Sequence, residues 1–531
     1  MNKYLLIIIS FALSIGATKS FGQVPTLGVA GTFALFSTNG AVSNTGLSLV
    51  TGNVGTNNGS STNFGNVDGI MHDANGTTAT AAANLNTAYL QLNSAIPTFF
   101  PAPLLGNGQT LNSGVYSIGQ TASLNGNLIL DGQNNPNAFF IIQIQGAFSS
   151  AANSQVQLIN GALACRVFWK IEGAVSLAAN TMFKGTLVVN NAAIVLATGV
   201  IIEGRALTTT GALTISGSTI VTPLGCGTPI LTGPTAPTLG TVACYTIFSA
   251  NGQVTNAGTT FVTGDVGTNV GLTTGFQAQN VTGTIHPIPD TSTAQCASDL
   301  NTVNSYLSTV PTDIQLLYPA SFGNNLVLTP HTYLLDAATV LTGTVFLNAQ
   351  NNPNAVFVIK INGALSTSTF ANVVLQNQAK PENVFWRVVG AVNLNDFATF
   401  KGTLICNSGA MILNNGVNIQ GRALTVNGGV STFAINATMT PGCGNLGINL
   451  NDKKENIIIY PNPFDSELTI LDNNFNGNSE LYIYNSLGKL VLQTTLTQSL
   501  STFQLDLPSG MYIYNLVNDN GSQKTGKLIS K

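Results

Sequence analysis

Gln133-Asn134-Asn135-Pro136-Asn137-Ala138 opens a stretch that runs to Thr222-Pro223. The chain repeats it from Gln350-Asn351-Asn352-Pro353-Asn354-Ala355 to Thr440-Pro441. Inside it Phe168-Trp169 returns as Phe385-Trp386, and Phe183-Lys184-Gly185-Thr186-Leu187 as Phe400-Lys401-Gly402-Thr403-Leu404. Gly204-Arg205-Ala206-Leu207 returns as Gly421-Arg422-Ala423-Leu424. From the Pro136 corner through Arg205 the copies keep a constant offset of 217 residues (353 − 136, 386 − 169, 422 − 205). A segment that admits no insertion between its copies is one whose turns stack on each other.

Within this block short apolar runs such as Val115–Ile118, Phe139–Ile144, Val156–Ile159 and Val167–Ile171 are punctuated by Asn, Gly, Ala and Ser. The punctuation is not the two-residue Asn-Gly type that closes hairpins, so a parallel β-solenoid fits better than a sandwich. Upstream, Val50-Thr51-Gly52-Asn53-Val54-Gly55 and Val262-Thr263-Gly264-Asp265-Val266-Gly267 carry further corners. Gly and Asn accept the left-handed backbone that a sharp turn needs. One helix is expected per copy. Leu85, Tyr89, Leu92 and Ile96 precede Pro97, and Leu300, Val303, Leu307 and Val310 precede Pro311. Each set makes one apolar stripe suited to lie along a β body.

Composition agrees with an ordered but uncharged surface. Only 7% of the 531 residues are charged, against roughly 25% in an ordinary globular chain. The formal charge of -3 offers no basic face for phosphates, so no nucleic-acid partner is expected. Lys3, the apolar run Leu5–Ile15 and the small residues to Gly22 have the form of an export signal. In an exported protein the six cysteines (Cys165, Cys226, Cys244, Cys296, Cys406, Cys443) can pair. No two of them stand at C-x-x-C spacing, so buried thiols or bridges are expected and no metal or other cofactor.

The expected organisation is a signal peptide at 1–22 and a first solenoid at 23–226. A Pro/Gly/Thr linker at 227–238 leads to a second solenoid at 239–443. A second linker at 444–456 precedes a separate module at 457–531. Composition shifts there: 14 of the chain's 37 charged residues fall in the last 80 positions. This module holds Tyr460-Pro461-Asn462-Pro463, Leu481-Tyr482-Ile483-Tyr484-Asn485, Leu507-Pro508-Ser509-Gly510-Met511-Tyr512 and the terminal Lys527-Leu528-Ile529-Ser530-Lys531. In these motifs it resembles the C-terminal sorting domain of the type IX secretion system. The resemblance implies a small β-sandwich, handling by that secretion machinery, and release outside the cell or attachment to its surface.

Catalytic chemistry finds little footing. Glu203 stands opposite Gln420 and Glu172 opposite Val389, so no carboxylate pair is shared between the copies. His72 and His286 occupy matching places, but Asp73 follows one and Pro287 the other, and a structural or capping role is expected. Arg205 and Arg422 are shared and are expected to stack on Trp169 or Trp386 or to bind a helix C-terminus. No catalytic residue and no small-molecule substrate is expected.

What remains is a set of small uncharged tetrads. Thr45-Gly46-Leu47-Ser48, Asn125-Gly126-Asn127-Leu128 and Ala151-Ala152-Asn153-Ser154 are followed by Ala178-Ala179-Asn180-Thr181, Thr198-Gly199-Val200-Ile201 and Ser216-Gly217-Ser218-Thr219. Stacked coils set equivalent groups about 4.8 Å apart. Such a grid of hydroxyls, amides and methyls can hold water in a lattice close to that of ice.

Both copies resemble the β-solenoid ice-binding (antifreeze) domain. The residues that carry the likeness are Thr51-Gly52-x-Val54-Gly55, Pro136-Asn137-Ala138-x-Phe140, Val167-Phe168-Trp169, Gly204-Arg205-Ala206-Leu207 and their second-copy partners. The resemblance implies a mainly β chain with two tandem right-handed discontinuous solenoids, each with a helix alongside. It also implies a flat face described by a Thr-Ala/Gly-x-Thr/Asn pattern, with the ice crystal surface as partner of an extracellular monomer. The residues expected to touch ice are Thr45, Ser48, Asn125, Asn127, Asn153, Ser154, Asn180, Thr181, Thr198, Ser216, Ser218 and Thr219 in the first copy. Thr259, Thr260, Thr342, Thr344, Asn415 and Asn418 are their counterparts in the second. There Phe370-Ala371 and Phe397-Ala398 replace Asn153-Ser154 and Asn180-Thr181, so the first copy is expected to bind more strongly. The second reading is a surface adhesin or glycan-binding solenoid, and a polysaccharide-degrading solenoid comes third.

Overall fold

Alternation builds each coil. Successive side chains of a strand point to opposite sides, so Val175-Ser176-Leu177 and Leu213-Thr214-Ile215 bury two apolar groups for each small group turned outward. A computed structural model describes residues 24–226, 230–440, 457–472, 477–518 and 523–531. The expected export signal and the 444–456 linker lie outside these residues, as do residues 227–229 of the first linker.

Both repeats are parallel β-solenoids with three sheet faces. Face I of the first is a sheet of eight short strands: 61–62, 42–45, 213–216, 194–196, 175–177, 148–150, 122–125 and 104–106, in spatial order. Face II holds 49–51, 219–221, the first halves of 201–208 and 182–189, then 155–159, 127–131 and 109–112. Face III holds 71–73, 53–56, 33–37, the second halves of the two long strands, 167–171, 140–144 and 114–118.

Order in space departs from order in sequence. Leu35 pairs with Ala206, Val42 with Leu213 and Val50 with Ile220, so the first coil sits beyond the last one made. Helix α1 (Gly76–Ser94) returns the chain from that end to the other, where Phe99 bridges Tyr116. A 19-residue helix is about 28 Å long, close to six strand spacings of about 4.8 Å. Helix α2 (Thr291–Thr309) does the same for the second solenoid.

The helix closes face III. Outward residues Phe33, Phe36, Val115, Ile141, Phe168, Val188 and Leu207 pack on Ala81, Leu85 and Leu92. The buried stripe of α1 is Thr78, Ala81, Leu85, Ala88 and Leu92, made partly of small residues that let the helix lie close. Ile96, expected in that stripe, lies past the helix end and is 73% exposed. Asn75 and Asp290 cap the two helices, each in a reciprocal box with Thr78 or Thr293. His72 and His286 do share a partner position: their Nδ1 atoms meet the caps, Asn75 at 3.1 Å and Asp290 at 2.5 Å. At the far ends Gln143 donates to the carbonyls of Leu92 and Ala95, and Lys360 at the matching place donates to that of Val310.

Inside, Trp169 and Trp386 are fully buried, and their indole N–H groups donate to the carbonyls of Lys184 and Lys401 on the next coil. Arg205 and Arg422 are structural, but neither stacks on Trp nor binds a helix C-terminus. They donate instead to the carbonyls of Gly31 and Ala243 in the opening 3-10 turns. Burial pushes the Arg205 guanidinium down to about 10. Cys165 and Cys226 form a disulfide that ties down the end of the first repeat, Cys244 is also disulfide-bonded, and Cys296 and Cys406 are free and buried.

The two solenoids belong to one compact unit ending at Gly444, and the C-terminal module is a second unit. That module is a pair of antiparallel sheets of three and four strands around Phe464, Leu468, Leu481, Leu516 and Leu528.

Where the chain bends from face II to face III, Gly204 stacks on Gly185. A Cβ on Gly204 would lie 1.8 Å from the Gly185 carbonyl oxygen. That contact is with backbone, so Gly204→Ala is expected to lower unfolding free energy by about 1–3 kcal/mol or more, read by denaturant titration. Unchanged stability would mean that the coil spacing there relaxes freely.

Candidate functional site

Of the three faces, III lies under the helix and II is uneven. In the first solenoid face II presents Met182, Ile201 and Gln157 together with a Lys184–Glu203 ion pair of 2.7 Å. Face I differs. Its outward column runs Thr62, Ser43, Thr214, Val195, Ser176, Ser149 and Ser123, each paired in register with the next. The parallel column contains Thr45, Ser216, Ala197, Ala178, Ala151 and Asn125. None of these residues carries a charge. Neighbouring strands lie about 4.8 Å apart, and alternate residues along one strand about 6.6 Å. Ser43 reaches Thr214 at 3.4 Å and Thr198 reaches Ser216 at 3.2 Å, so some hydroxyls already steer one another.

The second solenoid repeats the face with more relief. Its column reads Thr274, Thr255, Ser431, Ile412, Asn393, Ser366 and Val340. Phe433 is 42% exposed beside it. At the corner, Phe370 and Phe397 stack at 5.1 Å with an interplanar angle of 12°.

The expected tetrads lie at the corner between faces I and II, and the structure divides them. Thr45, Asn125, Asn153, Asn180 and Thr198 are exposed, and Asn127, Ser216 and Thr219 are half-buried. Ser48, Ser154, Thr181 and Ser218 are buried, as is Thr260 in the second solenoid. There Thr259, Asn415 and Asn418 are exposed, and Thr342 and Thr344 are half-buried.

Backbone geometry causes the split. A residue with left-handed φ sits at each corner: Gly46 (72°), Gly126 (65°), Asn153 (59°), Asn180 (58°), Gly199 (77°) and Gly217 (47°). It swings the chain onto face II and turns a following side chain inward. The inward hydroxyls then satisfy corner groups. Thr181 Oγ1 donates to the Ala178 carbonyl at 2.8 Å and meets Ser150 Oγ at 2.7 Å. Ser154 donates to Leu124 O, Ser218 to Ala197 O, Ser48 to Asn44 Oδ1 and Thr260 to Asn256 Oδ1. These five hydroxyls are therefore turned away from the exposed surface. A bulky ring in place of Thr181 would meet a packed interior, since Thr181 is fully buried.

Sequence reasoning missed the centre of the face: Ser43, Thr214, Ser176, Ser149 and Ser123. The signal was available in the triads Val42-Ser43-Asn44, Ala122-Ser123-Leu124, Val175-Ser176-Leu177 and Leu213-Thr214-Ile215. A small polar residue between two inward ones marks a narrow, flat, half-buried strand.

Comparison with known proteins follows the same division. The family model for ice-binding-like domains matches residues 36–221 and 248–438, and that for the secretion system C-terminal sorting domain matches 458–531. An ice-binding protein of Nostoc sp. (strain HG1) is 36% identical over 219 residues, 40% of this chain and 80% of that protein. An ice-binding protein of Colwellia sp is 28% identical over 212 residues, 37% of this chain and 82% of that one. The crystal structure of an ice-binding protein from an Antarctic Flavobacteriaceae bacterium superposes with a TM-score of 0.79 at 68% identity. It covers 80% of this chain and 100% of its own.

Thr181→Val keeps the shape and removes the hydroxyl. The Ala178 and Ser150 groups then lose a buried partner, and unfolding free energy should drop by about 1–3 kcal/mol. Chemical denaturation checks this; no loss would place Thr181 outside the interior.

Proposed function

The chain belongs to the ice-binding-like family through both of its solenoids, and from that premise we propose that it adsorbs to ice through face I. The protein is an ice-binding protein with a type IX secretion sorting domain, acting outside the cell or at its surface. Adsorbed molecules force ice to advance between them as curved fronts, which lowers the local freezing point and slows recrystallisation.

One observation carries the choice of face. Face I alone combines uncharged small side chains, in-register columns and exposure. The backbone ladder fixes the hydroxyl positions in advance, so little conformational entropy is lost when water orders over them. Thr45, Thr62, Ser43, Thr214, Ser176, Ser149, Ser123 and Asn125 form the proposed contact, edged by Asn153, Asn180, Thr198 and Ser216. In the second solenoid Thr274, Thr255, Ser431, Asn393 and Ser366 take those places, with Thr259 and Thr342 at the edge.

We assign no catalytic step. Glu203 is held by Lys184 and Glu172 by Tyr89 and Asn190. The exposed rings Phe370 and Phe397 lie on a convex corner rather than in a concave groove, which gives a glycan no cradle. We take the working form to be a monomer with no nucleic-acid or small-molecule ligand, and residues 1–22 to be its export signal.

Ser176→Tyr places a ring in the centre of the first face. It is expected to cut thermal hysteresis while the melting temperature stays unchanged. Asn393→Tyr, its counterpart in the second solenoid, should cost less, because Ile412 and Phe433 already interrupt that face. Gln155→Tyr on face II should be silent. Equal losses at Gln155 and Ser176 would remove face I as the ice surface.

A further inference from the structure

The two solenoids meet end to end. The coil that closes the first, residues 49–73, abuts the coil that opens the second, residues 314–328. Strand 49–51 of face II lies against strand 326–328, also of face II. The corner at Gly52, Asn53 and Gly69 faces the corner at Thr329 and His331 across a cleft of about 530 Å³. Like features thus meet like, and face I of both solenoids opens to the same side.

Named bonds hold this junction. Asn66 donates to the Tyr318 carbonyl and accepts from the Tyr318 N–H, both at 2.9 Å. The linker is strapped to the second solenoid: Asn352 donates to Leu231 O, the Val356 N–H to Thr232 O, and Tyr306 to Thr235 O. At the centre Asp68 is 3% exposed. Its Oδ2 accepts from Thr329 Oγ1 at 2.8 Å, and its Oδ1 lies 2.5 Å from Tyr333 Oη.

The single proton of Tyr333 allows two forms of this contact, one with Tyr333 donating to Asp68 and one with Asp68 donating to Tyr333. Tyr333 Oη accepts from the Thr329 N–H at 2.9 Å and has two acceptors close by, Asp68 Oδ1 and the Thr329 carbonyl at 2.6 Å. A phenol has one proton to give. In the first solenoid Tyr116 gives its proton to the matching carbonyl, that of Asn112, at 2.6 Å. If Tyr333 does the same, Asp68 must supply the proton between Oδ1 and Oη. Burial, which raises the Asp68 carboxyl above its ordinary range despite Tyr333 and nearby His331, favours that protonated form.

We propose that Asp68, as a neutral carboxylic acid donating to Tyr333, is the latch that makes the two solenoids a single rigid ice-binding surface. The proposal rests on the face I reading above. Two sites held rigidly on one side of a body bind as one multivalent surface, and two sites on a loose tether lose that advantage when the geometry drifts. The latch is specific to this junction. Thr282 fills the place of Asp68 at the corresponding end of the second solenoid, as the pairings of Thr51 with Asp68 and of Thr263 with Thr282 show.

The test uses the full chain carrying Asp68→Ala, Asp68→Asn or neither, each with and without the face-blocking Ser176→Tyr and Asn393→Tyr. Small-angle X-ray scattering reads domain geometry, circular dichroism reads fold, and thermal hysteresis reads ice adsorption. Asp68→Ala should loosen the pair at unchanged fold and drop hysteresis to the level of the better single face. Asp68→Asn should retain both properties, since its amide donates to Tyr333 and its carbonyl accepts from Thr329. Unaltered scattering in Asp68→Ala overturns the latch, as does loosening with full hysteresis. If Asp68→Asn behaves as Asp68→Ala, the neutral-donor form is wrong. Full activity in the Ser176→Tyr, Asn393→Tyr chain condemns the face I reading instead, whatever the latch does.

Discussion

The backbone ladder between parallel coils constrains everything else in this molecule. Adjacent strands are hydrogen-bonded about 4.8 Å apart, so each coil must repeat the inward and outward assignment of its neighbour. Inward positions become stacked apolar columns that include Trp169, Phe148 and Phe183. Outward positions become rows of equally spaced groups whether or not they have a function. The Gly185–Gly204 and Gly402–Gly421 stacks follow from the same spacing, since a Cβ there would strike the next coil's carbonyl.

A solenoid built this way has open ends and three faces, and the chain disposes of each. The helix both returns the chain to the far end and covers face III, so one element solves a connection and a solvation problem. Face II takes the ion pair and the bulky residues. Face I is left for small uncharged groups, and the low charge of the whole chain keeps ions from ordering water near it. Of the two ends that meet at the junction, one is plugged by Phe64 and Val67 and joined to the other through Asn66 and Asp68.

The repeat, the helices and the tail were legible because they depend on spacing, which the sequence states directly. The site was half legible. Tetrads such as Ala178-Ala179-Asn180-Thr181 mark the right corner, but the left-handed Asn180 reverses the side-chain direction that a simple alternation assigns. Thr181 therefore points inward and Ser176 outward. The junction was not legible at all. Asp68 meets partners 261 and 265 residues away, and its place in the other copy is held by Thr282. The helix Arg partners misled for a related reason: Arg205 contacts a carbonyl 174 residues distant in sequence.

The two copies also separate what a coil needs from what a surface needs. Phe370 and Phe397 sit at φ 59°, where a bulky L-residue costs about 1–2 kcal/mol. Asn153 and Asn180 fill the same corner at small cost, and they are joined by a side-chain bond of 3.3 Å. Stacking of the two rings returns about 0.5–1.5 kcal/mol, and Gly416 leaves room beneath Phe397, since a Cβ there would lie 2.4 Å from its ring. The aromatic corner is thus tolerated by the coil rather than required by it. What it changes is the surface: two rings, 69% and 47% exposed, stand proud of the edge of face I. The columns of the first solenoid carry no such step, and that difference in relief over a similar coil is the physical ground on which we expect the first solenoid to bind ice more strongly than the second.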